Sequence, residues 1–114
     1  MKKVLICTNV GKSQAHVQMD NVLKHIGAIS DLKFFPSDLA LLKYLSTAQD
    51  YPDLITLDLH LPLKGGLQIL KILKKDKRWK HIPVIMTCSE ASTFEIEACH
   101  TAGAESFFVE TILF

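Results

Sequence analysis

Residues 52–66 read PDLITLDLHLPLKGG. Leu54–Leu57 is apolar apart from Thr56, and a short run apolar on both faces is a strand buried inside a sheet covered on both sides. Asp58 falls where that strand ends. Pro62–Gly66 carries the proline and glycines of a turn. Beyond it Leu67, Leu70, Ile72 and Leu73 recur at helical spacing. The segment is therefore a strand, a loop carrying one carboxylate, and a helix.

The same grammar extends in both directions. Upstream, Val4–Cys7 (VLIC) is a short β-branched run that ends in polar residues. Met19, Val22, Leu23 and Ile26 mark a first helix over residues 15–26, stopped by Gly27. Asp31–Phe35 is a weak strand closed by Pro36. Ser37 and Asp38 can cap a helix with Leu39, Leu42 and Leu45 as its apolar face and Leu41 beside it. Downstream, Pro83–Met86 (PVIM) is a strand ending at Thr87 and Cys88. Ser92 and Glu95 have capping-box spacing ahead of Ile96, Ala98, Cys99 and Ala102. Gly103 ends that helix, and Phe107–Val109 is a fifth strand. Strands alternating with helices imply an α/β fold with a mainly parallel sheet and right-handed crossovers. In such sheets, function gathers beyond the carboxyl ends of the strands. That position selects Thr8, Asn9, Asp58, Cys88 and Glu110.

The 114 residues, 48% hydrophobic and 22% charged, suit one globular domain over 1–114 without internal repeats. A formal net charge of +1 gives no whole-chain attraction to nucleic acid or to an anionic membrane. The charge is uneven: residues 64–80 hold six Lys and one Arg against Asp76 alone, and residues 81–114 hold five Glu and no Lys or Arg. The apolar run after Lys2 and Lys3 is too short for a signal peptide, and no run approaches the roughly 18 apolar residues of a membrane span. Three cysteines match neither a disulfide framework nor a zinc pattern. A soluble, cytoplasmic protein is expected.

Asp58 has two readings, a solvated or loop-capping carboxylate and a nucleophile or ligand at the mouth of the sheet. A carboxylate attacking a phosphoryl donor needs its charge and that of the phosphoryl oxygens neutralised. Magnesium wants several oxygen ligands. Thr8 and Asn9 offer neutral oxygens, Asp58 and Glu110 carboxylates, and the nearest cations by sequence, Lys12 and Lys64, lie on loops. Cys88 reads as a small buried thiol or as a reactive one. The five histidines show no metal-binding spacing, and His60 alone lies near Asp58. KILKKDKRWK at 71–80 reads as a solvated helix end or as a dock for an acidic protein anchored by Trp79. The GKS of NVGKSQ lacks the spacer and upstream glycine of a phosphate-binding loop.

With these residues in place, the chain resembles the receiver domain of bacterial two-component response regulators, especially the single-domain kind related to the chemotaxis regulator. The strongest match is PDLITLDLHLPLKGG at 52–66, followed by IPVIMTCSEA at 82–91 and AGAESFFVE at 102–110. The resemblance implies a flavodoxin-like three-layer sandwich with a parallel five-stranded sheet, order 2-1-3-4-5. It also implies a phosphoacceptor at Asp58, with Pro62 and Gly66 shaping the loop. The family's acidic pair falls on Thr8 and Asn9, its switch threonine or serine on Cys88, its lysine on Glu110 and its rotating aromatic on Phe107. Exchanging that lysine for Glu110 sets an anion near the phosphoryl position, a repulsion of roughly 4 kcal/mol at 4 Å for an effective dielectric of 20.

The expectation is thus a receiver-like, non-enzymatic signalling module that works by binding proteins, without a cofactor and without magnesium-dependent phosphorylation. Asn9, Asp58 and the His60 backbone are its only, weak, metal candidates. One alternative is a phosphorelay regulator phosphorylated on Asp58 with magnesium, partnered by a histidine kinase. Another is a small thiol-based or nucleotide-binding enzyme using Cys88. The family's final helix has no counterpart after Glu110, so an open sheet face covered by a second copy or a protein partner is expected, with no nucleic-acid or membrane partner.

Overall fold

A computed structural model describes residues 3–8, 31–61, 64–88 and 90–109. The expected helix over 15–26, together with Asn9, Lys12, Pro62 and Glu110, lies outside the described residues. Five strands, β1 (Lys3–Cys7), β2 (Asp31–Phe35), β3 (Leu54–Asp58), β4 (Val84–Cys88) and β5 (Ser106–Val109), form one sheet in the order β2-β1-β3-β4-β5. Every neighbouring pair is parallel. Three helices are described: α1 (Asp38–Thr47), α2 (Gly66–Lys75) and α3 (Thr93–Thr101). This is the flavodoxin-like receiver architecture expected from the sequence.

Residues alternate between the two faces of each strand, and the two faces have separate cores. On one, Leu5, Ile55, Leu57 and Met86 pack against Leu41 and Leu45 of α1, Ile69, Leu70 and Leu73 of α2, and Cys99 of α3. On the other, Val4, Ile6, Leu54 and Ile85 form a smaller cluster flanked by Leu32, Phe34 and Phe108. The centre of this second face is closed, with those four residues at most 2% exposed. Its half-buried residues sit on the outer strands β2 and β5. On the face expected to be partly open, the half-buried apolar residues thus lie on the outer strands, not at the centre.

Two further expectations are corrected. In α1 the buried positions are Asp38, Leu41 and Leu45, and Leu39 is 54% exposed. Ser37 is the N-cap, its Oγ accepting from Ala40 N at 3.2 Å, and this start fixes a phase that turns Leu39 outward. Trp79, offered by one of the two readings of 71–80 as an exposed anchor, is buried in the main core beyond the end of α2, with the Arg78 guanidinium stacked on its ring at 4.2 Å. The expected capping box of α3 is present: Ser92 Oγ accepts from Glu95 N, and Glu95 Oε1 accepts from Ser92 N at 2.9 Å.

Two glycines shape the loop between β3 and α2. Gly65 sits at φ 83°, where a side chain is strained. A Cβ at Gly66 would run into the carbonyl oxygen of Asp58 and lie 2.8 Å from the Leu59 Cα. Helix α2 therefore starts against the backbone of the strand that carries the candidate nucleophile. Gly66 N donates to the Leu59 carbonyl at 2.9 Å and locks that approach.

Candidate functional site

The order β2-β1-β3 reverses the direction of winding between β1 and β3, and the crevice beyond their carboxyl ends is where such sheets place ligands. Thr8 leaves β1 there and Asp58 ends β3. Asp58 is only 6% exposed, so its carboxylate needs partners. Oδ1 accepts from the backbone N–H of His60 at 3.0 Å, a tight turn made within the loop itself. Oδ2 faces the Thr8 hydroxyl, which donates to it at 3.3 Å.

The loop after β4 closes the site from the other side. The His60 ring Nε2 lies 3.3 Å from the Glu90 carbonyl oxygen, which also accepts from the Cys88 thiol at 3.2 Å. A cleft of about 610 Å³ lined by His60, Glu90, Ala91, Ser92 and Glu95 opens beside it. Burial, and then the Asp58 charge, push the Cys88 thiol up to about 11. Burial, then Asp38 and Asp58, push the Cys7 thiol up to about 12. Both are protonated at neutral pH, the opposite of what thiol catalysis needs. That weighs against the enzyme reading built on Cys88.

One residue beside the site was not anticipated in its actual role. Asp38, expected only as a helix cap, is fully buried, with Oδ1 accepting from Leu39 N and Oδ2 accepting from Lys64 N at 2.8 Å. It ties the start of α1 to the loop that follows Asp58, across 26 residues of sequence. Lys64 thus enters the site through its backbone, while the residue itself is exposed. Phe107 sits half-buried on β5, packed on the main core beside Met86. The structure therefore brings Thr8, Asp58, His60 and Cys88 together.

The family's usual cation can be tested against these donors. Among the described residues no three His, Cys, Asp or Glu side chains cluster as a metal site. Asp58 is the one carboxylate hydrogen-bonded to Thr8 and His60, and both its oxygens already accept from protein donors. These donors do not by themselves build the near-octahedral oxygen shell magnesium demands.

Comparison with known proteins agrees with the fold. The family described as response regulator receiver domain matches residues 11–112. The polar-differentiation response regulator DivK of Brucella ovis is 36% identical over 73 residues, covering 56% of this chain and 59% of that protein. DivK of Brucella anthropi is 36% identical over 81 residues, covering 62% and 66%. The chain thus spans less than two thirds of these relatives' length. Among solved structures, the manganese-bound form of response regulator Rcp1 superposes with a TM-score of 0.80 at 23% identity, covering 98% of this chain and 84% of that one. Chemotaxis protein CheY4 of Vibrio cholerae gives 0.76 at 20% identity, covering 99% and 89%. This chain belongs to the response regulator receiver domain family, a family of signalling modules rather than classical enzymes.

Proposed function

We propose that this chain is a phosphorelay receiver whose Asp58 accepts a phosphoryl group from a phosphohistidine on a partner kinase. This reverses the order of preference reached from sequence, where a module without phosphorylation led. The carrying observation is the placement of Asp58: a buried carboxylate at the β1–β3 crevice, oriented by the His60 N–H and the Thr8 hydroxyl. Relatives named as response regulators support the same reading.

In the transfer, one Asp58 oxygen attacks phosphorus and forms a P–O bond. The P–N bond to the donor imidazole breaks, and its electron pair returns to that nitrogen, which takes a proton from solvent. The chain's own part is orientation: two fixed hydrogen bonds hold the carboxylate, and Gly66 lets α2 support its backbone. Thr8 stands where the family carries an acid, and this favours a second reading, a receiver that binds its partner without being phosphorylated. In either case the whole 1–114 unit acts as one receiver, its partner is a signalling protein, and its place is the cytoplasm. No helix among the described residues is long and apolar enough to cross a membrane.

Acetyl phosphate with magnesium, acetyl phosphate with EDTA, and a phosphorylated histidine kinase supply the test. The expected product carries one added phosphoryl group, is base-labile, and is absent in Asp58→Asn. No product from any donor, with the kinase shown to phosphorylate another receiver, overturns phosphorylation and leaves the second reading.

A further inference from the structure

A second cleft lies away from Asp58, between α2 and α3, with a volume of about 680 Å³. One wall is basic. Lys71 and Lys75, one helical turn apart, line it and are exposed. Lys74 also lines it, but its Nζ donates to the carbonyls of Lys80 and Ile82, at 3.2 and 2.8 Å. Burial holds that ammonium below its ordinary pKa. Lys71 and Lys75 have no anionic partner among the described residues, where the one ion pair is Arg78 with Asp76.

The facing wall, on α3, presents Phe94 and Ala98, also one turn apart, beside Glu97, and Phe94 is 79% exposed. An exposed aromatic and two ammonium groups without an ionic partner thus line one cleft. We infer that the α2–α3 groove docks an acidic amphipathic segment of a partner protein, its carboxylates on Lys71 and Lys75 and its apolar side chain on Phe94 and Ala98.

Charge and apolarity together favour this occupant. A second copy of the chain would have to bring its own exposed acids, such as Glu90, Glu97 or Glu105, to the groove, and sedimentation tests that rival. Nucleic acid would meet one aromatic, without the series of stacking rings that single strands use. An acidic segment meets two cations and the Phe94–Ala98 pair at once, with Glu97 as the one like charge lining the groove. The surface is separate from Asp58 and stands whether or not Asp58 is phosphorylated.

The probes are synthetic peptides of equal length: an acidic amphipathic Leu/Glu helix, its Leu/Lys counterpart and an acidic Gly/Glu chain, with oligothymidylate as a fourth. Each is titrated into isotope-labelled protein and followed by amide chemical shifts. The expected result is micromolar binding of the Leu/Glu peptide alone, with shifts confined to residues 66–75 and 93–102. Lys71→Glu with Lys75→Glu, and separately Phe94→Ser, should weaken it at least about tenfold. Raising salt from about 0.05 to about 0.5 M should weaken it severalfold. All three positions are exposed, and circular dichroism verifies that the variants stay folded. The inference is overturned by equal binding of the Leu/Lys peptide, by tighter binding of oligothymidylate, by shifts elsewhere or none, or by sedimentation showing a dimer that the lysine variant dissolves.

Discussion

Thr56 sits in the middle of β3, flanked in register by Ile6 on β1 and Ile85 on β4, on the sheet face whose core is Val4, Ile6, Leu54 and Ile85. It is 1% exposed, and its hydroxyl has no hydrogen-bond partner among the described residues. A buried hydroxyl without a partner costs about 1–3 kcal/mol. Thr56→Val keeps the shape, removes that cost and suits a strand, so urea unfolding should show a gain of about 1 kcal/mol; a loss would mean the hydroxyl is satisfied. At this scale the sequence was informative where chemistry is local. Asp58 at the end of an apolar strand and Gly66 after the loop were both legible. The engagement of Asp38 with Lys64 was not, because it joins positions far apart through a backbone N–H that any residue would supply.

Among the elements, α3 was the most legible, because a capping box is written in residues three apart. The two bonds between Ser92 and Glu95 give a direct expectation: Ser92→Ala should lower stability by about 1 kcal/mol in thermal or urea unfolding at neutral pH. The Glu95 carboxyl is held below its ordinary range by the Ser92 N–H, then by the Ser92 side chain. A depressed carboxyl stabilises above its unfolded pKa and loses that contribution as pH falls through the folded value. Glu95→Gln should therefore be less stable than the parent at pH 7, and the gap should close in acid. In helix α1, Leu41, Leu42 and Leu45 pack on the core as expected and Leu39 does not. Its leucines are frequent enough to offer two stripes, and the contact with the sheet selects Leu41 and Leu45 over Leu39. Trp79 was misread for a related reason: a lysine-rich neighbourhood advertises solvent, yet the chain turns its indole inward after α2 ends.

At the scale of the whole molecule, the strand order followed from the alternation of elements together with the family likeness. The burial at the centre of the second face was not read from the sequence. The buried thiol of Cys7, 1% exposed at the end of β1, donates to the Ser37 carbonyl and links the sheet to the start of α1. Its pKa is raised to about 12 in the fold, against 9.0 for an ordinary thiol. The unfolded chain thus gives up this proton first as pH rises. The stabilisation is complete below about pH 9 and drains away toward pH 12, at about 1.4 kcal/mol per pH unit. Unfolding free energies of the parent and Cys7→Ala should converge by about 2 kcal/mol between pH 9 and pH 10.5. A constant difference across that range would show that the thiol titrates normally.

The bond from the Lys64 amide to the fully buried Asp38 carboxylate also sets what the crevice can do mechanically. If the segment following Asp58 swung outward alone, it would strip a sealed-in negative charge of one of its two donors. The head of α1 and the loop after β3 are therefore joined like two leaves of one hinge, so that a displacement of that loop pulls on the head of α1 through the Asp38–Lys64 bond.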